Sequence, residues 1–224
     1  MNEPKHPLTR FPETTLILPP AFLGSISRYA LIASTGQSFV DTTSRFDKRF
    51  KSAHRTTIAD VNGPMRLTLP IGKPESIMRA KWNDIKLSDH GQWWHLHMTA
   101  LESAYGRTPF FEYYIDSFAP FFRNEAITEY NTLVNFDSGL EDVICHILGI
   151  DAPKYKSLDR TVYPANSTVD LSHTEPRFEI PTYYQVRADR LGFIPDLSVL
   201  DLIFNMGPEA PLVLQKVISN INKF

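Results

Sequence analysis

The residues of this chain best equipped for chemistry are polar groups set inside apolar stretches, and His97 is the first of them. It recurs with Trp94, Leu101, Ala104 and Tyr105 at three- and four-residue intervals, so a helix would turn it inward with them. An inward imidazole with a pKa near working pH suits a general base for an attacking amine. The plainer reading is a core histidine bonded to a backbone group or a tyrosine. The same face offers Trp94 and Tyr105 as substrate contacts. His95, two positions away, points elsewhere, and His90 shares the face only if the helix reaches back that far. Lys51, His54 and Arg55 form a second candidate: a guanidinium presents the planar, two-pronged donor set that holds a diphosphate. The competing reading is a solvated charge cluster near Asp47 and Lys48.

Asp201 and Asn205, one turn apart, are placed to orient a hydroxyl or amine, and Asp201 is the second candidate catalytic group. Ser198-x-x-Asp201 is also a helix-start pair with the carboxylate near the positive end of the helix, a duty that explains Asp201 without any ligand. Tyr183, Tyr184 and Gln185 could build a stacking and hydrogen-bonding wall or pack a core edge. Cys145 and His146 are adjacent and diverge by about 100° on a helix, so they do not make a nucleophile pair. Without HExxH or Cys-x-x-Cys spacing no metal site is expected, and no cofactor. The Gly-x-Ser-x-Gly elbow, the phosphate loop ending in Gly-Lys and the Gly-x-Gly-x-x-Gly fingerprint are missing too. This disfavours a serine hydrolase, a P-loop nucleotidase or a dinucleotide-dependent oxidoreductase.

The elements that must position these groups read as α+β: a β-rich N-terminal half, a helical middle and a short C-terminal helix pair in one compact domain spanning 1–224. Residues 1–14 are proline-punctuated and expected to lie extended on the surface. Segments 15–19, 29–34, 38–42, 56–60 and 65–71 read as strands, with a hairpin at Asn62-Gly63. Met65, Leu67, Leu69 and Ile71 alternate with polar residues, as on a half-buried strand. Asp89 with Gln92 predicts a capped helix start. Thr108-Pro109 predicts another with proline first, broken by Pro120, and Ile127, Tyr130, Leu133 and Val134 mark a further helix. Ser138 with Glu141 predicts a start before a helix that Gly149 ends. Two edge strands and loops are expected over 151–180, then a helix over 199–206 and a last one near Pro208 or Pro211.

The 224 residues, 42% hydrophobic and 21% charged, suit a folded chain that buries most of its apolar surface without cross-links. A net charge of −2 argues against nucleic acid as a partner. The single cysteine fits a reducing compartment. No apolar run reaches the ~20 residues of a membrane span, and the start has no secretory layout, so the cytoplasm is expected.

Four blocks in order then resemble the WbqC-like proteins, a bacterial family found among surface-polysaccharide genes such as O-antigen and capsule clusters. They are Leu18–Phe22 with Ser27-Arg28-Tyr29; Phe50–Ile58 with Asn62-Gly63 and Leu67–Ile71; Trp94–His97 through Ser103–Tyr105 to Thr108–Tyr114; and the closing run 181–208. His54 departs from the family, which more usually has asparagine before Arg55, and that leaves the substrate open. The resemblance implies a transferase that places glycine or a similar acyl group on an amino sugar. Its small-molecule substrate would be a nucleotide-linked amino sugar, with His97 as base, Arg55 and Lys51 as phosphate clamp, and Gln185, Asp201 and Asn205 orienting the substrate. The alternative is a non-catalytic component that holds a polysaccharide precursor or a partner enzyme.

Overall fold

A computed structural model describes residues 7–221. The first strand, β1 (Phe11–Leu18), becomes wholly buried from Thr15 onward. Helix α1 (Ile26–Ser34) follows, started by the Ser25 hydroxyl, which accepts from Arg28 N, and runs directly into β2 (Thr35–Asp41). β1 and β2 pair in parallel, Leu16 opposite Ser38 and Leu18 opposite Val40, so the opening is a strand–helix–strand unit. The expected strand over 29–34 is therefore corrected to helix. A short apolar run with tyrosine and isoleucine fits either structure by composition. Parallel pairing of its neighbours needs a crossover, and α1 supplies it. The expected extended segment is likewise shortened, since β1 already begins at Phe11; residues 1–6 lie outside the described chain.

β3 (Arg55–Asp60) and β4 (Gly63–Thr68) form the expected hairpin as a separate two-stranded sheet, Asp60 opposite Gly63, with Gly63 at φ +115°. The helical middle holds α2 (Trp93–Tyr105), α3 (Phe111–Phe118), α4 (Glu125–Tyr130) and α5 (Leu133–Leu148). Three expected helix starts are corrected. Asp89 makes no side-chain cap, and α2 begins after the left-handed residues Gly91 and Gln92. Pro109 precedes α3, whose flanking residue is Phe110. Ser138 and Glu141 lie in mid-helix, because Thr132 starts α5 by accepting from Asn135 N; Gly149, at φ +67°, ends it as expected.

β5 (Lys154–Lys156) adds to β2 and β6 (Thr168–Asp170) adds to β1, giving a four-stranded sheet in the order β5-β2-β1-β6 with every pair parallel. The chain closes with α6 (Ala188–Leu191), α7 (Val199–Met206) and α8 (Ala210–Ser219). One cluster of buried apolar side chains runs from Leu8 to Ile221 through all of these layers. No helix among the described residues is long and apolar enough to cross a membrane. The order of strand addition switches sides at β1: the connection through α1 leads to β2 on one side, and β6 is added on the other. The carboxyl ends of adjacent parallel strands at such a reversal leave a crevice between their diverging loops, where open α/β sheets receive ligands.

Candidate functional site

The structure has a cleft at that point, about 820 Å³ in volume. Phe22, Gly24 and Ser25 line it from the loop after β1, residues 175–180 from the segment after β6, Arg55 and Thr57 from β3, and residues 193–198 from the turn before α7. It continues past Ser52, Arg55, Thr57 and Glu175 into a shallower depression of about 260 Å³, which Lys51 and Arg66 also line.

The hairpin explains the cations. Successive strand residues face opposite sides, and directly paired residues share a side. Thr56, Ile58 and Leu67 turn into the core, while Arg55, Thr57 and Arg66, the last opposite Thr57, turn outward. The cleft floor is stitched by Phe22 N to Ser52 O at 2.9 Å, Ser198 N to Thr57 O at 2.8 Å and Thr56 Oγ1 to Leu23 O at 2.8 Å. On this fixed floor Ser52 Oγ and Arg55 Nε are buried without a hydrogen-bond partner among the described residues. Buried donors left unpaired are uncommon in folded proteins, and both residues that carry them line the cavity.

A carboxylate stands farther along the larger part. Asp196 is half-buried in a left-handed conformation, φ +50°, and its Oδ1 accepts from Ser27 N at 2.8 Å at the start of α1. Burial pushes its pKa up, opposed by the hydrogen bonds from Ser27 and Ser25 and more weakly by Arg177.

Of the residues singled out by sequence, Lys51 and Arg55 meet at this cleft. His54 sits beneath it: its side chain is buried, its Nδ1 has no partner among the described residues, and burial followed by the charges of Arg55 and Lys51 lowers its pKa to about 4. His97 does face inward, into an aromatic cage with Phe22 at 5.7 Å, Trp93 at 5.4 Å and Phe122 at 6.2 Å between ring centroids. Burial lowers its pKa to about 4, against a smaller opposing effect of the Thr68 backbone. It lines neither part of the cleft and is neutral near pH 7. Trp94 is only partly buried, the inward position being that of Trp93, and both His90 and His95 are exposed.

Asp201, Tyr105, Gln185 and Asn205 come together elsewhere. Asp201 Oδ2 accepts from Tyr183 Oη and from Gln185 Nε2, the latter at 2.8 Å, and Tyr105 also bonds to it. Gln185 closes a pair of bonds with the backbone of Ile194, and Asn205 accepts from Val186 N at 2.9 Å while donating to Asp201 O at 2.7 Å. The void beside this network is about 10 Å³, at the lower limit for one water. The network fastens the 183–194 loop to α7. Burial raises the Asp201 pKa, and bonds from Tyr183, Gln185 and Tyr105 oppose that. The carboxylate thus faces these partners instead of capping its own helix. Tyr184 is 56% exposed and takes no part. Cys145 is buried, which pushes its thiol pKa up, and His146 points to solvent. Among the described residues no cluster of three or more potential metal ligands occurs.

Sequence reading missed Ser52, Arg66, Glu175, Arg177 and Asp196 at the cleft. Arg66 was within reach: once Asn62-Gly63 sets the hairpin, the register puts it beside Thr57. Asp196 carried no local signal beyond preceding the Ser198 cap.

The model of the WbqC-like protein family matches residues 29–174, more than half of the chain. The chain belongs to the WbqC-like protein family. The matched span contains Lys51, Ser52, Arg55 and Arg66 and stops short of Asp196. No curated protein and no solved structure matches.

Proposed function

We propose that the cleft binds a nucleotide-linked sugar and that the protein transfers an aminoacyl or acyl group to the amine of an amino sugar in surface-polysaccharide synthesis. The observation that carries the binding step is the pair of unpartnered buried donors, Ser52 Oγ and Arg55 Nε, at a cleft that Lys51 and Arg66 also line. A diphosphate supplies the acceptors these groups lack, and an arginine fork suits its oxygens. The volume of about 820 Å³ is that of a small-molecule site, and Phe178 and Phe193 offer apolar wall for a sugar or base. In this reading Lys51, Ser52, Arg55 and Arg66 hold the phosphates. His97 shapes the floor through Phe22, and Asp201 with Tyr105, Gln185 and Asn205 fixes the loop that ends at the cleft.

A second reading, a component that holds the same precursor without reacting it, is favoured by the lining itself. Among the described residues it contains neither cysteine nor histidine, so any proton transfer would fall to carboxylates. Titration calorimetry with UDP-sugars tests the shared binding step. Arg55→Gln should weaken binding about 10- to 100-fold, the range for losing a charge-assisted hydrogen bond. Equal binding by Arg55→Gln would reject the site. Product formed by the purified protein from defined donor and acceptor separates transferase from holder.

A further inference from the structure

The cleft is polarised along its length. The cations Lys51 and Arg66 line only the shallow part, and Asp196 lines only the large part, with Arg55 and Ser52 common to both. Glu179 stands at the large part and Glu175 at both, but these two are exposed to solvent, where screening weakens them. Asp196 is half-buried, and among the described residues it makes no ion pair. Among the described residues the cation that acts on it is Arg177, which lines the same part of the cleft and is exposed. Its position is also rigid. Ile26 N donates to Leu197 O at 3.2 Å, Val199 N to Gly24 O at 2.9 Å, and Ser25 bridges Ser198, so the turn carrying Asp196 is bound to the start of α1 on both sides.

A fixed carboxylate short of a cation, at the far end of a cleft whose other end collects anions, is built for a ligand negative at one end and positive at the other. We infer that Asp196 recognises the ammonium group of the ligand and makes the cleft selective for amino sugars over their hydroxyl counterparts. This rests on the reading of the cleft as a nucleotide-sugar site. Oδ1 is engaged by Ser27 N. The hydroxyls of Ser27 and Ser25 also reach this carboxylate, whose two oxygens offer about four acceptor positions, so an ammonium can add to these bonds. A charged donor at this carboxylate gains more than a hydroxyl does, because charge-assisted hydrogen bonds are roughly twice as strong as neutral ones.

Asp196→Asn is the informative variant. Asparagine tolerates the left-handed conformation as aspartate does, and its carbonyl oxygen can still accept from Ser27 N, so the turn is kept while the charge is lost. Calorimetry would compare UDP-glucosamine with UDP-glucose, and a dTDP-linked 4-amino-4,6-dideoxyhexose with its 4-hydroxy parent. The wild-type protein should bind the amine of at least one pair about 10-fold more tightly than the hydroxyl form. Asp196→Asn should bring that ratio within about 2-fold and leave the hydroxyl form unchanged, whereas Arg55→Gln should weaken both forms and keep the ratio. A ratio near one in the wild type, or one that survives Asp196→Asn, overturns the role of Asp196 while the nucleotide-sugar site stands. Failure of all four compounds to bind removes the site and this inference with it.

Discussion

Glu141→Gln should be among the most damaging single substitutions in this protein, although it changes one atom. Arg28 is 3% exposed and Glu141 1%. They meet through two bonds, Nε to Oε1 at 2.6 Å and Nη2 to Oε2 at 3.1 Å. Arg28 Nη1 donates to Pro19 O at 2.9 Å, and Tyr155 Oη donates to Glu141 Oε2 at 2.8 Å. The pair therefore joins α1, α5, β5 and the turn that leaves β1 for the cleft. Burial works against the Arg28 charge, but the field and bonds of Glu141 outweigh it and hold the guanidinium protonated. The amide leaves that cation buried without its counter-charge, a loss of about 3–5 kcal/mol. At roughly 2–4 °C per kcal/mol for a chain of this size, the midpoint should fall by about 6–20 °C. Urea unfolding followed by fluorescence and circular dichroism gives the free energy directly. Arg28→Met with Glu141→Leu should recover much of the loss, since an apolar pair of similar volume can replace a buried ion pair. A loss below about 1 kcal/mol for Glu141→Gln, with no recovery in the double variant, would refute the claim that the pair is cut off from water.

Two further predictions use pH. The His97 and His54 imidazoles are held near pKa 4 in the fold and titrate near 6.5 when unfolded, so stability is full above pH 6.5 and is lost as pH falls toward 4. His97 alone accounts for about 3 kcal/mol across that window, and His97→Gln should flatten the acid limb in urea titrations; superposable slopes would count against it. Asp137 acts in the opposite direction: it is fully buried with neither carboxylate oxygen bonded among the described residues, and burial, then the charge of Glu141, raises its pKa well above 3.8 against the pull of Arg28. Folding keeps its proton, so stability is full below about pH 4 and declines as pH rises toward the folded pKa. Asp137→Asn should stabilise the protein at pH 7 and have little effect at pH 4, and a variant less stable at pH 7 would show that the carboxylate has a partner.

How much could be read from sequence follows the range of the forces involved. The α7 boundaries, the Gly149 stop and the Asn62-Gly63 hairpin were legible because a cap, a left-handed glycine and a tight turn are decided within a few residues. The same local rules misplaced Ser138 and Glu141, which fit a capping spacing but lie in a continuous helix, Glu141 being committed to Arg28 from 113 positions away. Tyr29–Ser34 failed for a related reason. Every residue of α1 is buried, so no polar face marks the helical period, and only the Ser25 cap gives it away. Asp201 was weighed between a cap and a ligand contact, and its partners Tyr183, Gln185 and Tyr105 reach it through a loop that no spacing rule places.

The cleft divides along the same line. Its cationic end is local: Lys51, Ser52 and Arg55 are neighbours, and Arg66 joins them through one hairpin, all inside the span that the family model matches. Its acidic end is not. Asp196 reaches the cleft because the turn at 196–198 is bound to Gly24, Ile26 and Ser27, about 170 residues earlier in the chain. The crowding of turn, capping and aromatic residues over 181–208 has a physical reason. This block must close the Asp201 network on one side, start α7 at Ser198, and present Asp196 in a left-handed conformation on the other. A substitution that loosens the network without touching the cleft, Tyr183→Phe for instance, would then act on the ligand only through the 193–198 turn, whereas a change at Arg55 acts on it directly. That asymmetry is what a cleft built from one local wall and one imported wall requires.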